Sequence, residues 1–294
     1  MELLIIVNPI AGTGSKDDIA AIAREELGVD DSHIVYTERA GHARELADDA
    51  VRRGVDIVAA VGGDGTVNEV AGALVGTDTA LAVVPVGSGN GLGRHLRVPL
   101  DARKALRLIR QGHIERFDCG IVNGDLPFFC TCGVGFDAQV SHAFATAGTR
   151  GLSTYVRTTI SEYFRYKPQH YRITIDGDTI DDEAFVIAIG NAAQYGNNAL
   201  IAPRATMQDG QLDITVIHRF SLVAAPIVGA RLFTGTLDHD SHISIYRGRH
   251  IEIARDASGP MHIDGDPLIM PATLTIDCRP AALPVVIGRG EKRL

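Results

Sequence analysis

Three glycine-rich junctions hold the residues best suited to chemistry: Asn8-Pro9-Ile10-Ala11-Gly12, Gly62-Gly63-Asp64-Gly65-Thr66-Val67-Asn68-Glu69 and Gly87-Ser88-Gly89-Asn90-Gly91. Each follows a short apolar run. In an open α/β sheet ligands bind at such places, because the helix that follows offers unpaired N–H groups and a positive dipole end. In the middle junction the glycines let backbone approach a ligand closely, and Thr66 with Glu69 has the spacing of a capping box that opens a helix. A bound phosphate fits this pattern, and so does a tight strand-to-helix turn with a capped helix. Asp64 favours the phosphate. A carboxylate beside phosphate oxygens is repelled unless a divalent cation lies between them, so its placement implies Mg²⁺ bound with a nucleotide. Neither standard nucleotide fingerprint occurs: there is no Gly-x-x-x-x-Gly-Lys-Ser/Thr, and Gly87-Ser88-Gly89 lacks the third glycine of a dinucleotide turn. Residue chemistry alone therefore ends at a phosphate-binding α/β domain.

The elements that must position these junctions alternate. Short β-branched runs at 3–7, 34–36, 55–61 and 81–84 are followed by helical patterns at 16–27, 43–53, 67–74 and from 92 onward. Continuously apolar strands alternating with helices predict a parallel sheet covered on both faces. Near Phe117 the pattern changes to strands at 120–122, 128–134, 171–175, 184–189, 212–217, 242–246, 250–254 and 273–277, with Asn123-Gly124 and Asp176-Gly177 as hairpin turns. The expectation is an α/β nucleotide-binding domain over 1–117, which 281–294 can rejoin, followed by an antiparallel β-rich domain over 118–280. Residues 155–166 are the one long stretch of the second domain that reads as helical.

Composition bounds the function classes. With 294 residues, 45% hydrophobic and 22% charged, the chain is globular and long enough for two cores. A net charge of -8 argues against wrapping nucleic acid and against a broad electrostatic membrane anchor, so any lipid contact must be local. Cys119, Cys130, Cys132 and Cys278 are too irregularly spaced for a disulfide scaffold or a zinc site and read as structural. The longest apolar runs fall short of the ~20 residues of a membrane span. The first apolar run stops at Asn8-Pro9 without a basic flank, so no signal peptide is expected and the location reads as cytoplasmic, with peripheral contact at the inner membrane surface.

Together with Thr37 and Gly41-His42-Ala43, the first two junctions and Pro85-Val86-Gly87-Ser88-Gly89-Asn90 resemble the diacylglycerol kinase catalytic domain family. That family includes bacterial lipid kinases, sphingosine kinases and ceramide kinases and is a distant relative of NAD kinases. The resemblance continues in order through Gly135-Phe136-Asp137-Ala138, residues 191–203, Asp209-Gly210-Gln211-Leu212-Asp213 and Asp264-Gly265-Asp266. It implies ATP lying across Asn8, Pro9, Ile10, Ala11 and Gly12, Thr37, then Gly63, Asp64, Gly65, Thr66, Val67, Asn68 and Glu69, and Ser88, with the active site in the cleft between the domains. It further implies that Asp64 organises the catalytic Mg²⁺, and that the general base comes from Asp264, with Asp266 adjacent. A second, structural Mg²⁺ would be held by the Asp209 carboxylate and the carbonyls of Thr206 and Gln211. Two departures stand out. Many bacterial members have Asn-Asp where this chain has Asn90-Gly91, and Asp266 replaces a Glu, drawing that carboxylate back and favouring Asp264 as base.

The resulting expectation is a Mg²⁺-dependent lipid kinase that moves the γ-phosphoryl group of ATP to the hydroxyl of a diacylglycerol or sphingoid-type lipid. The alternatives are an NAD kinase-like phosphotransferase on a soluble substrate, and a non-catalytic nucleotide or lipid sensor. On residue type alone Asp264-Gly265 is an ordinary solvated turn. His42, His95 and His262 lie beside motif residues without metal-ligand spacing, and His95 is weighed as a phosphate contact. Read as a helix, residues 150–167 place Leu152, Val156, Ile160, Tyr163 and Phe164 on one face, with Arg150, Arg157, Arg165 and Lys167 against only Glu162. That is either a contact for an anionic membrane or a stripe packed on the β domain.

Overall fold

The computed structural model describes residues 2–12, 17–145 and 152–288. The chain forms two compact units, Met1–Cys119 with Pro280–Leu294, and Gly120–Arg279. In the first, β1 (Leu3–Val7), α1 (Asp17–Leu27), β2 (Ile34–Tyr36), α2 (His42–Arg53), β3 (Ile57–Gly62), α3 (Asp64–Leu74) and β4 (Ala80–Pro85) alternate. They are followed by α4 (Gly91–His95), α5 (Ala102–Gln111) and β5 (His113–Val122). The strands run parallel in the order β2-β1-β3-β4, in register through Ile5↔Ile34, Ile5↔Ala59 and Val58↔Leu81. β1, β3 and β4 are buried throughout, as strands covered on both faces must be. Helix α3 turns Val67, Val70, Ala71 and Leu74 inward, one face at helical spacing. The nucleotide-type junctions lie where β1, β3 and β4 end.

The second unit adds β6 (Leu126–Phe128), β7 (Thr131–Gly135), α6 (Phe136–Ala145), α7 (Leu152–Arg165), β8 (Gln169–Ile175), β9 (Asp178–Ala184), β10 (Val186–Gly190) and β11 (Leu212–Ile217). Then come α8 (Ala225–Thr234), β12 (Ile243–Gly248), β13 (His250–Arg255), β14 (Gly259–Ile263), β15 (Asp266–Met270) and β16 (Thr273–Ile287). One antiparallel sheet runs β12-β11-β10-β7-β14-β15; in the other β8 pairs with β9 and β13, and β13 with the first part of β16. The last part of β16 returns to the first unit and pairs in parallel with β4, Val285 opposite Leu81.

Strand alternation divides this unit's core. Ile187, Ile189, Ile214 and Val216 pack with Tyr171, Ile173, Ile251 and Leu274 between the sheets. Their neighbours Val186, Ala188 and Ile217 face the other way, onto Phe136, Tyr163, Val228 and Leu232 from the helices and Tyr166 just after α7. The Asp176-Gly177 turn has φ of 49° and 100°, the two left-handed residues of a hairpin turn.

Two expectations are corrected here. The second unit has α6 and α8 besides α7; α8 was hidden because it is apolar on both sides and shows no periodic face. The run at 128–134 is two strands, broken at Phe129-Cys130, whose N–H groups turn to the Asp264 carboxylate. Among the described residues, no helix is long and apolar enough to cross a membrane.

Candidate functional site

In the first unit β3 delivers Gly63 in extended conformation as the N-cap of α3, so Asp64 opens the helix and Thr66 lies one turn in. The expected capping box is therefore not formed. Thr66 instead accepts the Asn8 side-chain N–H on Oγ1 at 2.9 Å, tying the end of β1 to α3. A Cβ on Gly62 would come within 2.4 Å of the Thr66 side chain, so glycine is required there. Glu69 reaches across to α2 and accepts the N–H groups of Gly41 and Ala43 at 2.8 and 3.1 Å. It caps its neighbour's N-terminus, where a carboxylate meets the positive end of the dipole.

Asp64 ties the second junction to the third. Its Oδ2 accepts the Asn90 N–H at 2.8 Å and its Oδ1 the Gly91 N–H at 2.6 Å. The loops meet because they lack side chains: a Cβ on Gly87 would lie 2.5 Å from the Gly63 Cα, and one on Gly89 2.6 Å from Asp64 Oδ2. Each Asp64 oxygen holds one N–H and keeps a lone pair, so this half-buried carboxylate fits a single protein ligand to a phosphate-bound Mg²⁺.

A cavity of about 270 Å³ opens beside this junction, lined by Asn8, Pro9, Ile10, Thr37, Gly65, Thr66 and Glu69 of the expected nucleotide set. Its walls also include Glu38, Arg39, Ala40 and Ala43. Glu38, Arg39 and Ala40 were missed, although their place between a strand end and a helix start marks them. Arg39 is held by Glu45 at 2.6 Å, which raises its pKa further. Ala11, Gly12, Gly63, Asp64, Asn68 and Ser88 lie outside the cavity wall, as does Val67, whose side chain is in the core. The first N–H groups of α3 have no partner within the helix and are available to an anion.

In the second unit Asp264 and Gly265 form the β14–β15 hairpin turn with φ of 49° and 92°. The Asp264 side chain is half-buried and bound on both oxygens. Oδ1 accepts the N–H groups of Cys130 and Thr131 and Oδ2 that of Phe129, all at 2.8 Å. Burial pushes its carboxyl up to about 6, against those N–H bonds, which favour the charged form. Asp266, at the start of β15, is exposed.

Beside this turn is a cluster the sequence reading did not assemble. His262 Nε2 meets Asp137 Oδ2 at 3.0 Å, and the Tyr195 hydroxyl donates to the same oxygen at 2.7 Å. Gly133 makes room, since a Cβ there would lie 2.9 Å from His262 Nε2. The signal was Asp137 within Gly135-Phe136-Asp137-Ala138. Of the other histidines, His42 accepts the Glu38 N–H on Nδ1. Burial lowers His95 to about 4, so it is neutral at physiological pH and offers a phosphate no charge.

The Asp209 turn lies in the same unit, and its carboxylate is already paired. Oδ1 accepts the Gln211 N–H at 3.0 Å and Oδ2 accepts Arg247. Arg247 Nε also stands 3.3 Å from buried Asp213, whose carboxyl burial raises. A cation on Asp209 would sit against a guanidinium, so the donor set as placed fits an ion pair better than a metal. Among the described residues, no group of three or more His, Cys, Asp or Glu side chains could hold a metal ion.

Tyr163 of α7 and Tyr166 just after it pack on the sheet, while Ile160 and Phe164 of the helix are 56% and 66% exposed. Arg150 lies outside the described residues, as do the side chains of Leu152 and Val156.

Residues 2–122 match the family described as "Diacylglycerol kinase catalytic domain", and residues 130–287 the "YegS C-terminal NAD kinase beta sandwich-like domain". A "Diacylglycerol kinase" of Mycobacterium tuberculosis is 32% identical over 98% of this chain and 96% of its own. A Klebsiella pneumoniae protein named "Probable lipid kinase YegS-like" is 29% identical over 96% and 94%. The solved structure of a diacylglycerol kinase from Bacillus anthracis superposes with a TM-score of 0.77 at 24% identity, covering 98% of this chain and 97% of that one. An NAD kinase from Archaeoglobus fulgidus, at 16% identity, covers 99% and 94% with a TM-score of 0.53, a likeness of fold.

Proposed function

The chain belongs to the diacylglycerol kinase catalytic-domain family, and from that premise we propose that it is an ATP- and Mg²⁺-dependent kinase acting on the hydroxyl of a diacylglycerol or sphingoid-type lipid. The observation that carries this reading is the cavity walled by Asn8, Thr37, Gly65, Thr66 and Glu69, with Asp64 next in the chain to Gly65. The open N–H groups of α3 would take phosphate oxygens, and Asp64 would hold the cation those oxygens bring.

Phosphoryl transfer passes through a loose transition state, so catalysis is mostly alignment and neutralisation of charge. Bound Mg²⁺ would supply the neutralisation. The chain's residues supply the rest. Asn8 and Thr66 fix the cavity wall, and Glu69 holds the start of α2 against α3. Asp264 is the proposed base. Oδ1 is filled by two N–H groups, whereas Oδ2 has only one and keeps a lone pair for the acceptor's proton. With its carboxyl at about 6, it is ionised at neutral pH and still able to take a proton. The likeness to NAD kinase is of fold alone and favours no second reading.

Purified protein would be incubated with γ-labelled ATP, Mg²⁺ and, separately, diacylglycerol, sphingosine, NAD and a total lipid extract. Label in an organic-soluble product supports the proposal and names the lipid class. Label on NAD alone, or on nothing, refutes it.

A further inference from the structure

Helix α8 is apolar on both sides. Val228 and Leu232 pack inward beside Phe185 and Ile217. On the outer side Ile227 and Phe233 are 56% and 60% exposed, with Pro226 and Ala230 exposed beside them, and in the turn leading into the helix Leu222 and Val223 are 51% and 87% exposed. From Val223 onward these residues fall at intervals of three and four, a single face, and the one charged residue of α8, Arg231 in its last turn, is paired with Asp240 at 3.2 Å. A helix apolar on two opposite faces is normally covered on both.

Helix α7 borders this face. Its Tyr163 hydroxyl donates to the Phe220 carbonyl at 2.5 Å, and Tyr163 packs on the cluster that receives Val228. Outward it shows Ile160 and Phe164. Charge on the surface is one-sided although the chain as a whole carries -8. Arg157, Arg165, Lys167 and Arg219 are exposed. The acids of α7, α8 and the turn after α8 are nearly covered and paired: Glu162, Asp238 and Asp240 have side chains 13%, 10% and 8% exposed, against Arg165, Arg204 and Arg231, while Asp182, 26% exposed, is paired with His218 beside Arg219.

We propose that the α7–α8 face docks on an anionic lipid bilayer, with the outer stripe of α8 entering the boundary between headgroups and acyl chains. Arg157, Arg165, Lys167 and Arg219 meet the headgroups. An apolar stripe bordered by exposed cations is the composition that such a surface binds. A second copy of the chain docked about a two-fold axis would instead bring like charges together. The inference takes its purpose from the lipid-kinase reading, but vesicle binding is measured without turnover.

The chain has no tryptophan, so Phe233→Trp and Ile227→Trp each give a single reporter. Vesicles of phosphatidylcholine with about 30 mol% phosphatidylglycerol should shift the emission of both to the blue, and pure phosphatidylcholine vesicles less so. The double variant Ile227→Glu/Phe233→Glu should lower vesicle cosedimentation by about tenfold or more while melting as the wild type does, since both positions are exposed. Emission indifferent to anionic vesicles overturns the proposal, whether or not the glutamate variant folds. So does a wild-type dimer that Ile227→Glu disperses. A chain that binds vesicles but phosphorylates no lipid refutes the kinase reading alone; one that phosphorylates dispersed lipid but ignores vesicles refutes this inference alone.

Discussion

Asp64 accepts the backbone N–H of Gly91 at 2.6 Å, and with its other oxygen that of Asn90, so one carboxylate joins the loop after β3 to the loop after β4. The bond is to backbone, so it leaves the side chain at position 91, one of the departures noted in the sequence, outside the contact.

An amide in place of that carboxylate would turn an N–H₂ group toward one of the two N–H donors. Asp64→Asn should therefore cost about 1–3 kcal/mol of stability, the usual penalty for an unsatisfied buried donor. Chemical denaturation without ATP or Mg²⁺ reads this directly. An unchanged midpoint would mean that the two N–H bonds contribute nothing to the fold.

Glu69 uses both oxygens to hold the first turn of α2, which borders the cavity. Glu69→Gln can satisfy only one of those N–H groups. It should raise KM for ATP several-fold while changing kcat less, and lower the melting temperature. A fall in kcat at constant KM would place Glu69 in the transfer step instead.

Burial raises the Asp264 carboxyl from 3.8 in the unfolded chain to about 6 in the folded one. A raised folded pKa means that the folded state binds this proton more tightly. The stabilisation is complete below the unfolded value and is lost as pH rises through about 6. Wild-type stability should therefore fall across this window relative to Asp264→Asn. A base at this position must be ionised, so on the proposed assignment kcat/KM should rise through the same window, and Asp264→Ala should lose both that limb and most of kcat with little effect on ATP affinity. If Asp266→Ala has the larger effect, the base assignment moves there.

The α/β half was legible because its cues are local: apolar strands, helical spacing and glycine junctions fall next to one another in the chain. The site contacts were less so. Thr66 and Glu69 have capping-box spacing, but their partners are Asn8, Gly41 and Ala43, brought near only by the parallel sheet. Asp264 looked like a solvated turn residue because the three N–H groups it binds lie more than a hundred positions earlier. Likewise α8 showed no periodicity, since its outer face is as apolar as its inner one.

Arg247 on the Asp209 carboxylate predicts that Mg²⁺ will not raise the melting temperature in the absence of nucleotide. Asp209→Ala should lower stability by at most about 1 kcal/mol with or without Mg²⁺, because the pair is partly exposed and Arg247 keeps Asp213. A Mg²⁺-dependent rise in the wild type that Asp209→Ala removes would restore the structural cation.

The central claim is most directly tested by transfer of the labelled γ-phosphate of ATP to diacylglycerol in mixed micelles, comparing the wild type with Asp64→Asn at saturating Mg²⁺. The wild type should give organic-soluble label that depends on Mg²⁺, and the variant a rate reduced by about a hundredfold, the scale of one lost electrostatic contact in the transition state. No labelled lipid from the wild type, or a folded Asp64→Asn protein that keeps more than about a tenth of the rate, would contradict it.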